Sequence, residues 1–388
     1  MNTPLRTGGV VALALAGALA PPAHAQIGGA SVVFLQIEPD SRAAGMGNAG
    51  VANADNANAI FWNPAGLAGQ TGTEIGLTHS NWLPEFNAGL FYEYAVAKHH
   101  VPKVGTFGAH LTYLFLGKHD ATDEQGLPLG EFKSYDLSTG ISYGTNVTKN
   151  LAVGTGVRVI YSSLAPLDDN SGTGTSVGVD LAALYSAPAF KVGSVDTRLK
   201  AGFNLANIGP AMEYSSGGFA DSMTVGDGGD PIPTNLRFGW SATFDFDEFN
   251  QLRIANDFNK AIYRVEREEL ANGQTRRTID GFPASLLSSW KPNLVDLDGD
   301  DTTPPEEVTA LEQLTIGAGA EYWYNKLFAL RGGYFYENPN NGNRKFLTFG
   351  AGIRYNIVGV DFSYIYALEE NSPLANTMRF SLLVNFLR

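Results

Sequence analysis

The sequence predicts an all-β chain: a transmembrane antiparallel β-barrel of about fourteen strands, with an N-terminal segment lodged in its lumen. Three observations predict it. Most of the chain after Thr73 reads as segments of alternating hydrophobicity, each of roughly ten residues. The connections between them alternate long and short. A secretory leader precedes a chain with Cys 0 and no apolar run long enough for a spanning helix.

The leader comes first. Arg6 supplies a positive n-region, Val10 to Ala20 an apolar core, and Ala23-His24-Ala25 a small-x-small cleavage site. Residues 1–25 are therefore expected to be a signal peptide, with Gln26 as the mature N-terminus. Without cysteines, an exported chain must be held by burial or by a closed hydrogen-bond network. A net charge of -13 argues against nucleic acid as a partner. Gly 45, Tyr 16 and Phe 23 beside 17% charged residues suit a sheet with one face in lipid and one in water.

The strand segments are expected near 73–80, 88–97, 104–117, 131–145, 151–164, 174–187, 196–207, 234–246, 251–263, 313–325, 327–337, 344–357, 359–368 and 376–387. In the eighth, Leu236, Phe238, Trp240, Ala242 and Phe244 alternate with Asn235, Arg237, Gly239, Ser241 and Thr243. Successive strand side chains point to opposite faces, so one face is apolar and the other polar. Short connections include Asn146–Asn150, Asp247–Asn250, Asn325–Lys326 and Ile357–Gly359. Long ones are Lys118–Gly130, Ala165–Gly172, Gly209–Pro233, Arg264–Glu312 and Glu337–Asn343. An up-and-down barrel with short periplasmic turns shows this order, and an even strand count puts both termini on the periplasmic side.

The polar face carries both signs of charge. Glu93, Asp136, Asp180, Asp257, Glu321 and Asp361 stand among Arg158, Arg198, Arg237, Arg253, Arg331, Arg354 and Arg379. Pointing inward, they are expected to pair across strands. Tyr92, Tyr161, Trp240, Tyr324 and Tyr366 are expected in the outer aromatic girdles.

Residues 26–72 read as a hatch that starts on the periplasmic side and fills the lumen. Asp55 or Asn56 is expected to cap a short helix running to Trp62, and Pro64 to end it. Gly45, Gly47 and Gly50 permit close backbone approach, while Phe61 and Trp62 anchor the segment.

"DNANAIFWNPAGLA" resembles the hatch motif of FadL-type outer-membrane proteins, in which a short helix ends in Asn-Pro-Ala. "FLQIEPDSRAAGMGNAGVA", Phe34 to Ala52, resembles the PorV/PorQ family more narrowly. The likeness continues through "NWLPEF" at 81–86, "YLFLGKHDATDEQGLPLGEF" at 113–132, "NLAVGTGVRVIYSSLA" at 150–165 and "GFNLANIGP" at 202–210. The resemblance implies a FadL-like barrel of the type IX secretion system, in the Gram-negative outer membrane and its lipid. It implies three partners: a SprA/Sov-type translocon, a PorU-type sortase and the C-terminal signal domain of cargo. It also implies a carrier that moves cargo from translocon to attachment complex. A FadL-like transporter of hydrophobic small molecules, gated by the same hatch, is the alternative. Asn63, Pro64 and Ala65 would then form the gate rather than part of a plug.

Candidate chemistry is sparse. Gly140-Ile141-Ser142-Tyr143-Gly144 matches a nucleophile-elbow pattern, but Ser142 falls mid-strand and no triad accompanies it. His99 and His100 adjoin a turn and point apart, a poor shared metal site. "DLDGDDTTPPEE", Asp296 to Glu307, departs from calcium-loop spacing because Asp301 stands where Gly is required. No catalytic residue, metal or cofactor is assigned. The loop holding Phe282, Leu286, Leu287, Trp290 and Leu294 is the candidate partner-binding surface, contacting translocon or cargo. The competing reading folds these side chains over the barrel mouth.

Overall fold

A computed structural model describes residues 29–122, 125, 127–164, 172–215, 229–269, 275–295 and 306–386. The leader, residues 1–25, and positions 296–305 of the acidic loop lie outside the described residues. Fourteen antiparallel strands form the wall. They are β1 (Thr73–Asn81), β2 (Phe91–Val101), β3 (Gly105–Thr122), β4 (Pro128–Asn146) and β5 (Leu151–Ser163). Next come β6 (Thr173–Ser186), β7 (Val195–Ile208), β8 (Asn235–Asp245), β9 (Asn250–Ala261) and β10 (Leu314–Tyr324). The last are β11 (Phe328–Glu337), β12 (Lys345–Tyr355), β13 (Val358–Ala367) and β14 (Met378–Asn385). Each strand pairs with its sequence neighbours, and β14 returns to β1 with Asn385 opposite Glu74. Closure leaves the wall no free edge, the condition for strands to cross a bilayer.

The period-two alternation places the side chains. Leu111, Ile141, Val157, Leu181, Phe238, Leu330, Phe349 and Phe380 are exposed on the outer face. Asp180, Asp257, Glu321, Arg331, Asp361 and Arg379 are buried within. Trp240, Tyr324 and Tyr366 face outward as expected. On the outer wall a run of rings crosses neighbouring strands, Phe91 to Tyr113 at 6.1 Å, Tyr113 to Tyr135 at 5.7 Å and Tyr135 to Tyr161 at 6.0 Å.

Strand β2 corrects the expected assignment of two residues. Tyr92 is buried inside and Glu93 lies outside, where its carboxylate meets His79 at 2.8 Å. The reason is that the inner face of β2 is not wet. Tyr92, Tyr94 and Val96 pack in one cluster with Phe34, Leu35 and Ile60 of the N-terminal segment, so the face toward the lumen is the apolar one.

The expected long connection Lys118–Gly130 is also largely strand. β3 and β4 pair as far as Thr122 and Pro128, with a bulge between Phe115 and Gly117, and so extend well past the length a bilayer requires. At this long-loop end the wall is roofed by residues 210–215 and 229–234. Met212 exchanges backbone bonds with Asp230 at 2.7 and 2.9 Å, and Tyr214 bridges to Gly174 of β6. The Tyr214 hydroxyl bonds Ser162 at 3.0 Å, and burial pushes its pKa up to about 12.

Replacing an outer residue near mid-wall tests the lipid placement. Ile141→Arg is expected to cost about 2–4 kcal/mol in urea unfolding from lipid vesicles. A loss below about 0.5 kcal/mol would contradict a lipid-facing Ile141.

Candidate functional site

The N-terminal segment runs the length of the lumen, in the direction opposite to that expected. Its first described residues lie at the long-loop end, where the Ser31 amide donates to Pro231 O at 3.0 Å. Phe34 and Leu35 pack there against Leu114, Ile160, Met212 and Ile232. The apolar start of the segment finds its cover under the roof, while its polar end reaches the short-turn mouth and joins β1.

Helix α1 (Ser41–Ala44) begins at Asp40, whose side chain accepts from the Ala43 amide at 2.7 Å. The other carboxylate oxygen of Asp40 accepts from the Trp62 indole, tying the two short helices of the hatch together. Ser41 meets Ser381 of β14 through its amide at 3.1 Å and its hydroxyl at 2.9 Å. Helix α2 (Ala59–Trp62) is shorter than expected. Asn56 accepts from the Asn58 amide at 3.0 Å and starts the turn, but Asp55 is no cap. It pairs with Arg42 and, at 3.0 Å, with Arg253.

The wall was built to receive this backbone. Gly47 has φ 65, and a Cβ there would stand 2.5 Å from the carbonyl oxygens of Ala318 and Tyr334. Wall residues Gly319 and Gly333 face Met46 and Gly47 with no room for a side chain. At the other end, a Cβ on Gly154 would lie 2.2 Å from the Ala65 amide nitrogen. Glycine at inward strand positions thus lets hatch and wall touch main chain to main chain.

Wall side chains then satisfy the hatch's backbone groups. Asp257 accepts from the Gly50 and Val51 amides at 2.7 and 2.8 Å. Asn204 donates to Trp62 O at 3.0 Å and Arg237 to Phe61 O at 3.1 Å, capping the carbonyl end of α2. The Arg237 guanidinium also lies 4.5 Å from the centre of the Phe61 ring. Asn63 donates to Val51 O and to Ala183 O of β6, each at 3.1 Å, and accepts from the Ala65 amide at 3.1 Å. Pro64 then opens a 3-10 turn, Pro64–Gly69, that rests on β4 and β5.

A buried ion network completes the lock. Arg42 bonds Glu321 through two nitrogens at 2.8 Å, and Arg331 bonds Glu321 and Asp361 at 2.8 Å each. Arg354 closes the chain on Asp361 at 2.5 Å. Such networks contribute little net stability, but removal of one member leaves an unpaired buried charge costing about 3–5 kcal/mol. They fix position more than they add binding. Beside the hatch, the chamber lined by Phe34, Ile60, Tyr94, His110 and Arg158 measures about 10 Å³, room for a single water.

The candidate partner surface sits at the opposite end from the short turns. Phe282, Leu286 and Trp290 are exposed there, and Leu287 is 83% exposed. Helix α3 (Ser285–Ser288) buries Ser285 and Ser288 and so turns Leu286 and Leu287 outward. Lys260 fixes its base, donating to Ser289 O at 2.8 Å and to Gln313 at 2.7 Å. Leu294 lies in a short strand opposite Glu307, and its side chain lies outside the described residues. Leu311, missed in the sequence reading, adds to the same rim at 76% exposure. Ser142 is buried within β4, and His99 and His100 bond Thr73 and Thr106 separately. Among the described residues no metal-ligand cluster occurs.

A family model described as type IX secretion system protein PorV matches residues 22–267. It is a match to secretion proteins, not to enzymes. No curated protein matches the chain in sequence. Among solved structures, the P. putida toluene transporter TodX is similar at TM-score 0.52 and 13% identity, over 90% of this chain and 99% of that one. The Ralstonia pickettii toluene transporter TbuX aligns at TM-score 0.46 and 15% identity, over 90% and 98%. A Pseudomonas aeruginosa FadL homologue aligns at 0.43 and 11%, over 90% and 98%. What is shared is the fold, the fourteen-stranded barrel of FadL-type outer-membrane channels.

Backbone contact between hatch and wall is open to test. Gly154→Val is expected to displace the hatch at a cost of about 1–3 kcal/mol, speeding trypsin cleavage after Arg42 about tenfold or more. Gly69→Ala, with nothing within 4 Å of the added carbon, is expected to leave cleavage unchanged.

Proposed function

The chain belongs to the PorV family of type IX secretion system proteins, and on that premise we propose that it is a plugged, non-enzymatic carrier. It receives the C-terminal signal domain of cargo at the SprA/Sov-type translocon and hands it to an attachment complex containing the PorU-type sortase. The observation that carries this reading is the pairing of a filled lumen with an apolar rim at the long-loop end. A solute path needs continuous space. Here the hatch meets the wall main chain to main chain, and the chamber beside Phe34 and Ile60, about 10 Å³, has room for no more than one water. That weighs against the alternative, a transporter of hydrophobic small molecules in which Asn63, Pro64 and Ala65 gate passage. Exposed Leu287, Phe282 and Trp290 instead suit burial against a protein.

The same reading puts the short turns, and with them the end of β14, in the periplasm. The start of the hatch lies at the other end, under the long loops, and not beside the short turns as the even strand count suggested. The chain has Cys 0, so a single introduced cysteine reports its side. In intact cells an impermeant maleimide is expected to label Leu287→Cys. Labelling of Lys149→Cys is expected only after permeabilisation. The reverse pattern would overturn the orientation.

Leu287→Asp combined with Trp290→Ala is expected to lower recovery of translocon and signal-bearing cargo, captured from native membranes, about tenfold. Heat-modifiable gel mobility should stay that of a folded barrel. Undiminished recovery would remove the rim from the carrier reading.

A further inference from the structure

Lys260 is out of place for its strand. It stands on the outward phase of β9, in step with Ile254, Asn256 and Phe258, and its cross-strand neighbours are Leu236 and Leu314. Ile254 is 39% exposed on that face, whereas Lys260 is 2% exposed. No carboxylate among the described residues pairs with it; its acceptors are all neutral. A buried ammonium is costly unless each of its three donors finds an acceptor.

What covers Lys260 is the loop of the candidate partner surface. The ammonium donates to Ser289 O at 2.8 Å, to Gln313 Oε1 at 2.7 Å and to Ala261 O at 3.3 Å, and it lies 5.6 Å from the centre of the Trp290 ring. Gln313 Nε2 in turn donates to Val308 O at 3.0 Å and to Lys291 O at 3.4 Å. Arg264 donates to Ser288 O at 3.3 Å and to Pro292 O at 3.0 Å. The carbonyls of Ser288, Ser289, Lys291 and Pro292 are therefore all gripped by side chains rooted near the ends of β9 and β10. A helix end leaves its last carbonyls without internal partners, and cationic side chains satisfy them. Held from below in this way, α3 keeps Leu286 and Leu287 turned outward.

Resting on the carrier reading of this rim, we propose that Lys260 is the positioning residue of the partner surface. Its charge holds segment 288–292 in one conformation before a partner arrives, so that association does not have to order the loop. The apolar side chains make the contact. Lys260 acts through them and touches no partner itself.

Amide hydrogen exchange over residues 285–292 of the detergent-purified full chain tests the grip without any partner. Lys260→Met, which keeps the length and removes the charge, is expected to speed exchange there about tenfold. Lys291→Gln, an exposed lysine of the same segment, should exchange as the parent does. Recovery of translocon and signal-bearing cargo from native membranes tests the consequence. Lys260→Met is expected to lower recovery about fivefold, and to add no further loss once Leu287→Asp and Trp290→Ala are present. Three results would each overturn the proposal: unchanged exchange, recovery kept by Lys260→Met while the rim variant loses it, or a further loss in the rim background. Should Lys260→Met fail to assemble, Gln313→Met, which removes one acceptor of the ammonium, carries the test with an expected rise in exchange of about threefold. Unchanged exchange in that variant would overturn the proposal equally. Undiminished recovery by the Leu287 and Trp290 variant would instead remove the rim from the carrier reading, and exchange alone would then decide whether Lys260 positions the segment.

Discussion

Main-chain contact between hatch and wall is the constraint from which the rest of the structure follows. A barrel of this strand number encloses more space than its own inward side chains fill. The chain fills it with backbone, and backbone can approach only where the wall lacks Cβ atoms. Hence glycines at Gly154, Gly319 and Gly333, and the left-handed turn at Gly47. Because main chain brings unsatisfied amides and carbonyls with it, the wall must also present matching polar groups. Asp257, Asn204 and Arg237 do so. Asp257, Arg237, Arg253 and Glu321 are thus committed to holding the hatch.

This view explains why the inner surface is divided. Beyond the ion network formed by Glu321, Arg331 and Asp361, the wall around β2 turns aromatic and aliphatic side chains inward to meet Phe34 and Ile60. A lumen that is part salt network and part hydrophobic core resembles the interior of a soluble protein wrapped in a membrane-compatible sleeve. The two halves perform different work. The apolar half buries surface, and the ionic half penalises every alternative register of the hatch.

Much of the architecture was legible in the sequence, because lipid outside and protein inside impose a strict alternation. All fourteen strand segments and the rhythm of long and short connections could be read from it. The failures share one cause, which is that tertiary contact decides what the inner face meets. Tyr92 and Glu93 were assigned to the wrong sides because alternation alone does not say that the lumen beside β2 is dry. Asp55 resembles a helix cap locally and is an ion-pair partner in space, since Arg253 lies far away in sequence. The direction of the hatch was equally hidden. One signal was available: glycines at the inward phase of strands, Gly154, Gly319 and Gly333, mark the track along which another backbone runs. The rim residues Phe282, Leu286, Leu287 and Trp290 were read as candidates because a loop rich in large apolar residues is costly to expose, and four of the five are exposed together.

The course of the hatch has a topological result. It enters beneath the roof and leaves at the opposite mouth, where it becomes the first strand, so it is threaded rather than corked. The tether is continuous with one margin of the closing seam, so a slip of the hatch pulls on β1 and fraying of the β1–β14 pair slackens the hatch: lining and wall are mechanically coupled at that one strand.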